Sequence, residues 1–193
     1  SLLPGQRFTL AGESYGGYLA RGVLKARSAQ VDGLLLIAPV AFQETLQQNA
    51  VLPLRVLEKD EAFFNSLSEE DQKSFAMLNV VQNRRVWERY AAEVVPAVKM
   101  ADYPFLEKCL SRHVPFKDNV DQIETPYPQP SLFVMGRQDS AVGYRDHWQL
   151  IENFPRASFA VLDKAGHNLQ IEQDAVFTAL VKEWLERVRA EAK

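Results

Sequence analysis

Residues Gly12-Glu13-Ser14-Tyr15-Gly16 form a G-x-S-x-G sequence, a spacing that can raise a serine hydroxyl for attack on an acyl carbon. The plainer alternative is a tight strand-to-helix turn with Ser14 as a helix cap. Context favours the nucleophile, because a strand-like run precedes the motif and a helix-like run follows it, as the strained turn requires. Glycine is expected at 12 and 16, where a Cβ would collide with neighbouring chain. The helix start below the serine lends partial positive charge to a developing oxyanion.

A serine alkoxide does not exist at neutral pH, so a base must stand beside it. The chain has three histidines, His113, His147 and His167. His113 falls near the end of a helical segment, where a surface or capping role explains it, and His147 falls in a helix with Trp148, as a structural or solvent-facing residue. His167 lies in the polar loop Asp163-Lys164-Ala165-Gly166-His167-Asn168 directly after the last strand-like run. Open α/β sheets place reacting groups at the C-terminal ends of strands, so His167 is the expected base. The acid that fixes its tautomer is expected at Asp139, which also follows a strand. Asp163 competes but is more simply a strand end supporting the loop, and Asp146 falls on a helix. The order Ser14, Asp139, His167 is nucleophile, acid, base.

Strand-like runs at 7–11, 33–38, 131–135 and 158–162 would position these groups. The run at 33–38 is apolar continuously, as when both faces of a parallel sheet are covered. Helical patterns occupy 15–25 and 144–154, the latter with Tyr144, Trp148 and Ile151 spaced along it. Phe177, Leu180, Val181, Trp184, Leu185 and Val188 make a one-sided stripe on a final helix. Alternation of this kind predicts a three-layer α/β domain with a mostly parallel sheet. The expected core is 1–41 with 131–193. The stretch 42–130 reads as helices throughout, a helical cap or lid over the sheet. Within it Ser68-Glu69-Glu70-Asp71 is a helix-start signal, Val86, Tyr90 and Val94 mark one face, and Phe105, Leu106, Cys109 and Leu110 another.

The 193 residues are 47% hydrophobic and 24% charged, a globular composition. A net charge of −3 argues against nucleic acid or an anionic membrane as the main partner. The single cysteine, Cys109, cannot close an internal disulfide; it fits a reducing compartment and a cytoplasmic location, and its place on an apolar helix stripe reads as a structural thiol. No apolar run approaches the roughly 18 residues of a membrane span, and the opening residues lack a signal-peptide pattern. No metal or cofactor is expected: the histidines are scattered, and no C-x-x-C pair, phosphate loop or dinucleotide fingerprint occurs.

The segments GESYGG around Ser14, GRQDSAV around Asp139 and LDKAGHNLQIEQ around His167 together resemble the α/β-hydrolase superfamily. That resemblance implies that the four strands are the last four of the family's eight-stranded sheet and that the insertion occupies the family's cap position. It implies further that Ser14 attacks an acyl carbon, His167 shuttles the proton and water releases the acyl-enzyme. The Tyr15 backbone N–H would be one oxyanion donor; the second would come from a loop upstream of this sequence. The strand 7–11, from Arg7 to Ala11, would then show an open edge. The expectation is therefore a fragment of a longer enzyme, inactive or weak by itself, or a chain whose edge a second chain covers. The expected substrate is a small or medium acyl compound: an ester, a thioester or a ketone with a scissile neighbouring C–C bond. Acyl transfer, aminopeptidase action and non-catalytic ligand binding are the alternatives.

Overall fold

The computed structural model describes residues 4–41, 53–111 and 116–191, with side chains left aside at 109–111. His113 and the side chains of Cys109 and Leu110 therefore lie outside the described residues. Strand β1 (Phe8–Glu13) leads into helix α1 (Tyr15–Arg27), and a short 3-10 turn (Ser28–Gln30) returns the chain to β2 (Val31–Ile37). After the insertion, β5 (Ser131–Gly136) and β6 (Ala157–Leu162) complete a four-stranded sheet in the order β1-β2-β5-β6. Every pairing in it is parallel.

The continuous apolar run of β2 is explained by its two covered faces. Leu34 and Leu36 join Phe133 and Met135 of β5 in one core, closed by Ala20 and Leu24 of α1. Leu35 points the other way, with Leu132 and Val134 of β5, and packs beneath the final helix at Trp184 and Val188. Alternate side chains of one strand thus feed opposite layers, and the fold is the three-layer α/β arrangement. Strand starts differ from the sequence expectation. Asp32 interrupts the apolar pattern of β2, yet the strand begins at Val31, because Asp32 accepts the guanidinium of Arg7 beside β1.

The stretch between β5 and β6 is a 3-10 helix (Arg145–Asn153), which turns every three residues. The buried face is therefore His147 and Leu150 with Phe154, while Trp148 and Ile151, apolar at α-helical spacing, are 45% and 39% exposed.

Nor is the insertion helical throughout. Strands β3 (Glu58–Lys59) and β4 (Val81–Gln82) form a small parallel sheet. Between them lie α2 (Glu61–Asn65) and α3 (Glu69–Ala76), and after them α4 (Arg84–Glu93), α5 (Val95–Met100) and α6 (Tyr103–Ser111). The expected start of α3 is present: Ser68 is its N-cap, and its hydroxyl accepts the Asp71 N–H. Phe64, Phe75, Val80, Val81, Val86 and Tyr90 form a core for the insertion, joined by Ile171 from outside it. The stripe expected on α6 is not buried at its described positions: Phe105 and Leu106 are 60% and 39% exposed. The chain ends in α7 (Leu169–Glu172) and α8 (Asp174–Glu191).

Candidate active site

Ser14 sits between the last residue of β1 and the first of α1, at φ 53° and ψ −123°. Non-glycine residues rarely hold such a backbone, and they do so where surrounding structure enforces it. Here the Ser14 N–H donates to the Ile37 carbonyl at 3.0 Å and the Ser14 carbonyl accepts the Val40 N–H at 2.9 Å. The turn closes because position 12 has no side chain: a Cβ there would lie 2.6 Å from the Gly16 carbonyl carbon and 2.8 Å from the Gly17 nitrogen. The expectation for Gly16 is corrected. A Cβ at 16 meets open space, whereas one at 17 would meet the Pro39 Cβ at 2.5 Å. The second close approach is thus to the segment after β2.

The structure brings the three expected side chains together. Ser14 Oγ stands 2.9 Å from His167 Nε2, and His167 Nδ1 stands 2.9 Å from Asp139 Oδ2. A carboxylate only accepts, so Nδ1 carries the proton and Nε2 is left to accept the serine hydroxyl. Asp139 is 2% exposed, and its other oxygen accepts the N–H groups of Ala141 and Val142 at 2.7 and 3.1 Å. These bonds aim the carboxylate without competing for the imidazole.

Burial works against the His167 imidazolium, yet its pKa is raised above the ordinary value. The hydrogen bond and charge of Asp139, with the charges of Glu13 and Glu172 behind them, outweigh the desolvation. Asp163, the competing acid, is exposed and accepts Gln138 Nε2 at 2.8 Å, lacing the Asp139 loop to the His167 loop. Asp146 lies in the 3-10 helix. His147 is buried and lends its Nε2–H to the Pro39 carbonyl at 2.7 Å, a structural role. Tyr15 is the first residue of α1, so its N–H belongs to a turn that lacks i−4 acceptors within the helix.

Sequence reasoning missed two buried charged groups near these residues. Arg21 of α1 is paired with Asp121 at 2.5 Å, and Glu172 accepts three backbone N–H groups. Nothing local marks either, since Asp121 lies a hundred positions from Arg21, and Val80 and Val81 about ninety from Glu172. A groove of about 810 Å³ lined by Arg7, Lys25, Thr125, Tyr127 and Gln129, among others, lies at the opposite, N-terminal end of the strands. Among the described residues no group of three or more His, Cys, Asp or Glu is placed to hold a metal ion, and no helix is long and apolar enough to cross a membrane.

Residues 2–174 match the serine aminopeptidase S33 family, and the chain belongs to that family, within the α/β-hydrolase superfamily. Among solved structures, an alpha/beta superfamily hydrolase from Oenococcus oeni PSU-1 is 26% identical with a TM-score of 0.85, over 97% of this chain and 69% of its own. A serine hydrolase from the polyaromatic-hydrocarbon-degrading bacterium Cycloclasticus zankles is 21% identical with a TM-score of 0.59, over 94% of this chain and 64% of its own. A meta-cleavage product hydrolase from Pseudomonas fluorescens IP01 is 21% identical with a TM-score of 0.57, over 97% and 66%. The last two share the fold. The chain thus spans about two thirds of the length of these relatives. No curated protein matches it.

Proposed function

We propose that the protein is a serine hydrolase acting on a small acyl compound through an acyl-enzyme. The observation that carries this reading is the unbroken chain of hydrogen bonds from Ser14 Oγ through His167 to Asp139, each 2.9 Å long. In it Ser14 Oγ attacks the acyl carbon while His167 Nε2 takes its proton, and Asp139 steadies the imidazolium. The Tyr15 backbone N–H, aided by the start of α1, is the donor facing the tetrahedral oxyanion. His167 then returns the proton to the leaving group, and water activated by the same imidazole releases the acid. No metal or cofactor enters these steps.

The insertion at 42–130 acts as a cap that shapes the acyl pocket over the core, 1–41 and 131–193. An ester, a thioester or a C–C bond beside a ketone fits this chemistry, and acyl transfer needs only an alcohol or amine in place of water. An aminopeptidase would need a carboxylate facing the pocket to hold the substrate's ammonium group. The acids Glu69, Glu70 and Asp71 are instead the capped first turn of α3. Among the described residues, β1 is paired with β2 alone. Further strands of the whole protein, or a second chain, cover its other edge and supply the second oxyanion donor, so 1–193 alone is inactive or weak. The single cysteine is the ground for a cytoplasmic location.

A fluorophosphonate probe on the whole protein tests the assignment. Ser14 is labelled, and Ser14→Ala abolishes both labelling and hydrolysis of p-nitrophenyl esters. Labelling that survives the substitution removes Ser14 as nucleophile. Amino-acid p-nitroanilides beside the esters separate aminopeptidase from esterase action.

A further inference from the structure

Glu172 takes no part in the chemistry just described, yet the residue is 2% exposed and its carboxylate is bonded to both sides of a seam between the insertion and the His167 loop. Its Oε1 accepts the Val80 N–H at 2.6 Å and the Val81 N–H at 3.0 Å, and its Oε2 accepts the Gly166 N–H at 2.5 Å. Val80 and Val81 belong to the insertion, whereas Gly166 precedes His167. A buried carboxylate is costly unless hydrogen bonds replace its water, and here three backbone donors do so. Burial pushes its pKa up, and those N–H bonds pull against the rise.

The same two segments are joined by other bonds. Asn168 Nδ2 donates to Asn79 Oδ1 at 3.1 Å, both side chains being buried. From α4, Arg85 donates to the carbonyls of Ile171 and Glu172 at 3.1 and 2.9 Å, and Arg89 to that of Gln170 at 3.0 Å. Ile171 completes the apolar core of the insertion. The whole of α7, which begins two residues after His167, is therefore gripped by the insertion.

We propose that Glu172 is a positioning residue for His167: its carboxylate pins the histidine loop to Val80 and Val81, so that the imidazole stands at Ser14 only while the insertion is seated. The proposal rests on the reading of Ser14, His167 and Asp139 given above. It makes the insertion part of the proton-transfer geometry as well as a pocket wall. The charged groups that act on His167 are Asp139 from the loop after β5, Glu13 from the end of β1 and Glu172 from α7.

The test is Glu172→Gln in the whole protein, where an amide NH2 must confront either Gly166 or the Val80–Val81 pair, donor against donor. With p-nitrophenyl acetate, too small to need the pocket wall, kcat falls about tenfold while KM stays within twofold. The acidic limb of kcat/KM moves to lower pH, because one negative charge facing the imidazole is gone. A loss caused only by unfolding lowers the active fraction and leaves that limb in place. Asn79→Ala, which cuts the uncharged tie, lowers kcat about threefold without moving the limb. Wild-type kcat and pH profile in folded Glu172→Gln overturn the proposal, as does a loss that tracks the unfolded fraction alone; if Glu172→Gln does not fold, wild-type kcat in Asn79→Ala overturns it. Ser14→Ala run in parallel keeps the two readings apart: activity surviving there sinks the nucleophile assignment, whatever Glu172 does.

Discussion

Arg21 and Asp121, a hundred positions apart, meet at 2.5 Å with side chains 1% and 3% exposed. The same guanidinium donates to the carbonyls of Gly17 at 3.3 Å and Val40 at 2.9 Å. One cation thus ties the helix that follows Ser14 to the segment after β2 and to the later part of the insertion. Removing one partner strands a buried charge, so Arg21→Met and Asp121→Leu each destabilise by about 3–5 kcal/mol, while the double variant recovers much of the loss. Urea unfolding of the four proteins measures this; an additive double variant refutes it.

The backbone of Ser14 stores strain. Glycine tolerates φ 53° freely, whereas alanine does not. Both Ser14→Gly and Ser14→Ala are expected to be inactive, but the glycine variant should be the more stable by about 1 kcal/mol. Thermal melts of the pair decide, and equal midpoints count against a strained turn.

Removing the acid of the relay gives a kinetic signature. In Asp139→Asn the amide cannot hold the His167 tautomer, and turnover falls on the order of 10³–10⁴-fold. The base works as neutral imidazole, and in the wild type the raised His167 pKa places the acidic limb of kcat/KM above the histidine's ordinary value. Without Asp139, burial dominates and the limb shifts to lower pH. A pH–rate profile of the two proteins reads the sign directly.

His147 carries a pH dependence of stability. Burial lowers its pKa, the hydrogen bond to Pro39 pulling the other way. A depressed histidine pKa in the folded state means that the unfolded chain binds the proton more readily. Its contribution is therefore intact well above pH 6.5 and is lost as pH falls below the unfolded value. Between pH 7.5 and 5.5 the wild type loses up to about 1 kcal/mol more than His147→Gln. Unfolding curves at the two pH values check this, and parallel losses contradict it.

Much of the site was legible because its parts sit at strand ends with local signatures. The Gly12–Gly16 turn announces Ser14, and the polar loops after β5 and β6 announce Asp139 and His167. The parallel sheet follows from apolar runs separated by helices. What escaped notice depends on partners distant in the chain. Glu172 reads as one more polar residue of a helix, because the N–H groups it satisfies at Val80 and Val81 lie about ninety positions upstream. Asp32 looks like a strand breaker until Arg7 is seen to meet it. The spacing of Tyr144, Trp148 and Ile151 suggested an α-helix, and only the three-residue turn of the 3-10 form moves the buried face to His147 and Leu150.

Gly136, the last residue of β5, touches backbone with no room to spare: a Cβ there would lie 2.5 Å from the Ala165 carbonyl oxygen and 2.9 Å from its carbon, besides meeting the Gly166 oxygen. The spacing between the Asp139 loop and the His167 loop is thereby set by main chain against main chain, which no rotamer change can relax. Saturation mutagenesis at this position should return glycine alone among active clones. Attempts to broaden what the protein accepts have to leave this junction untouched.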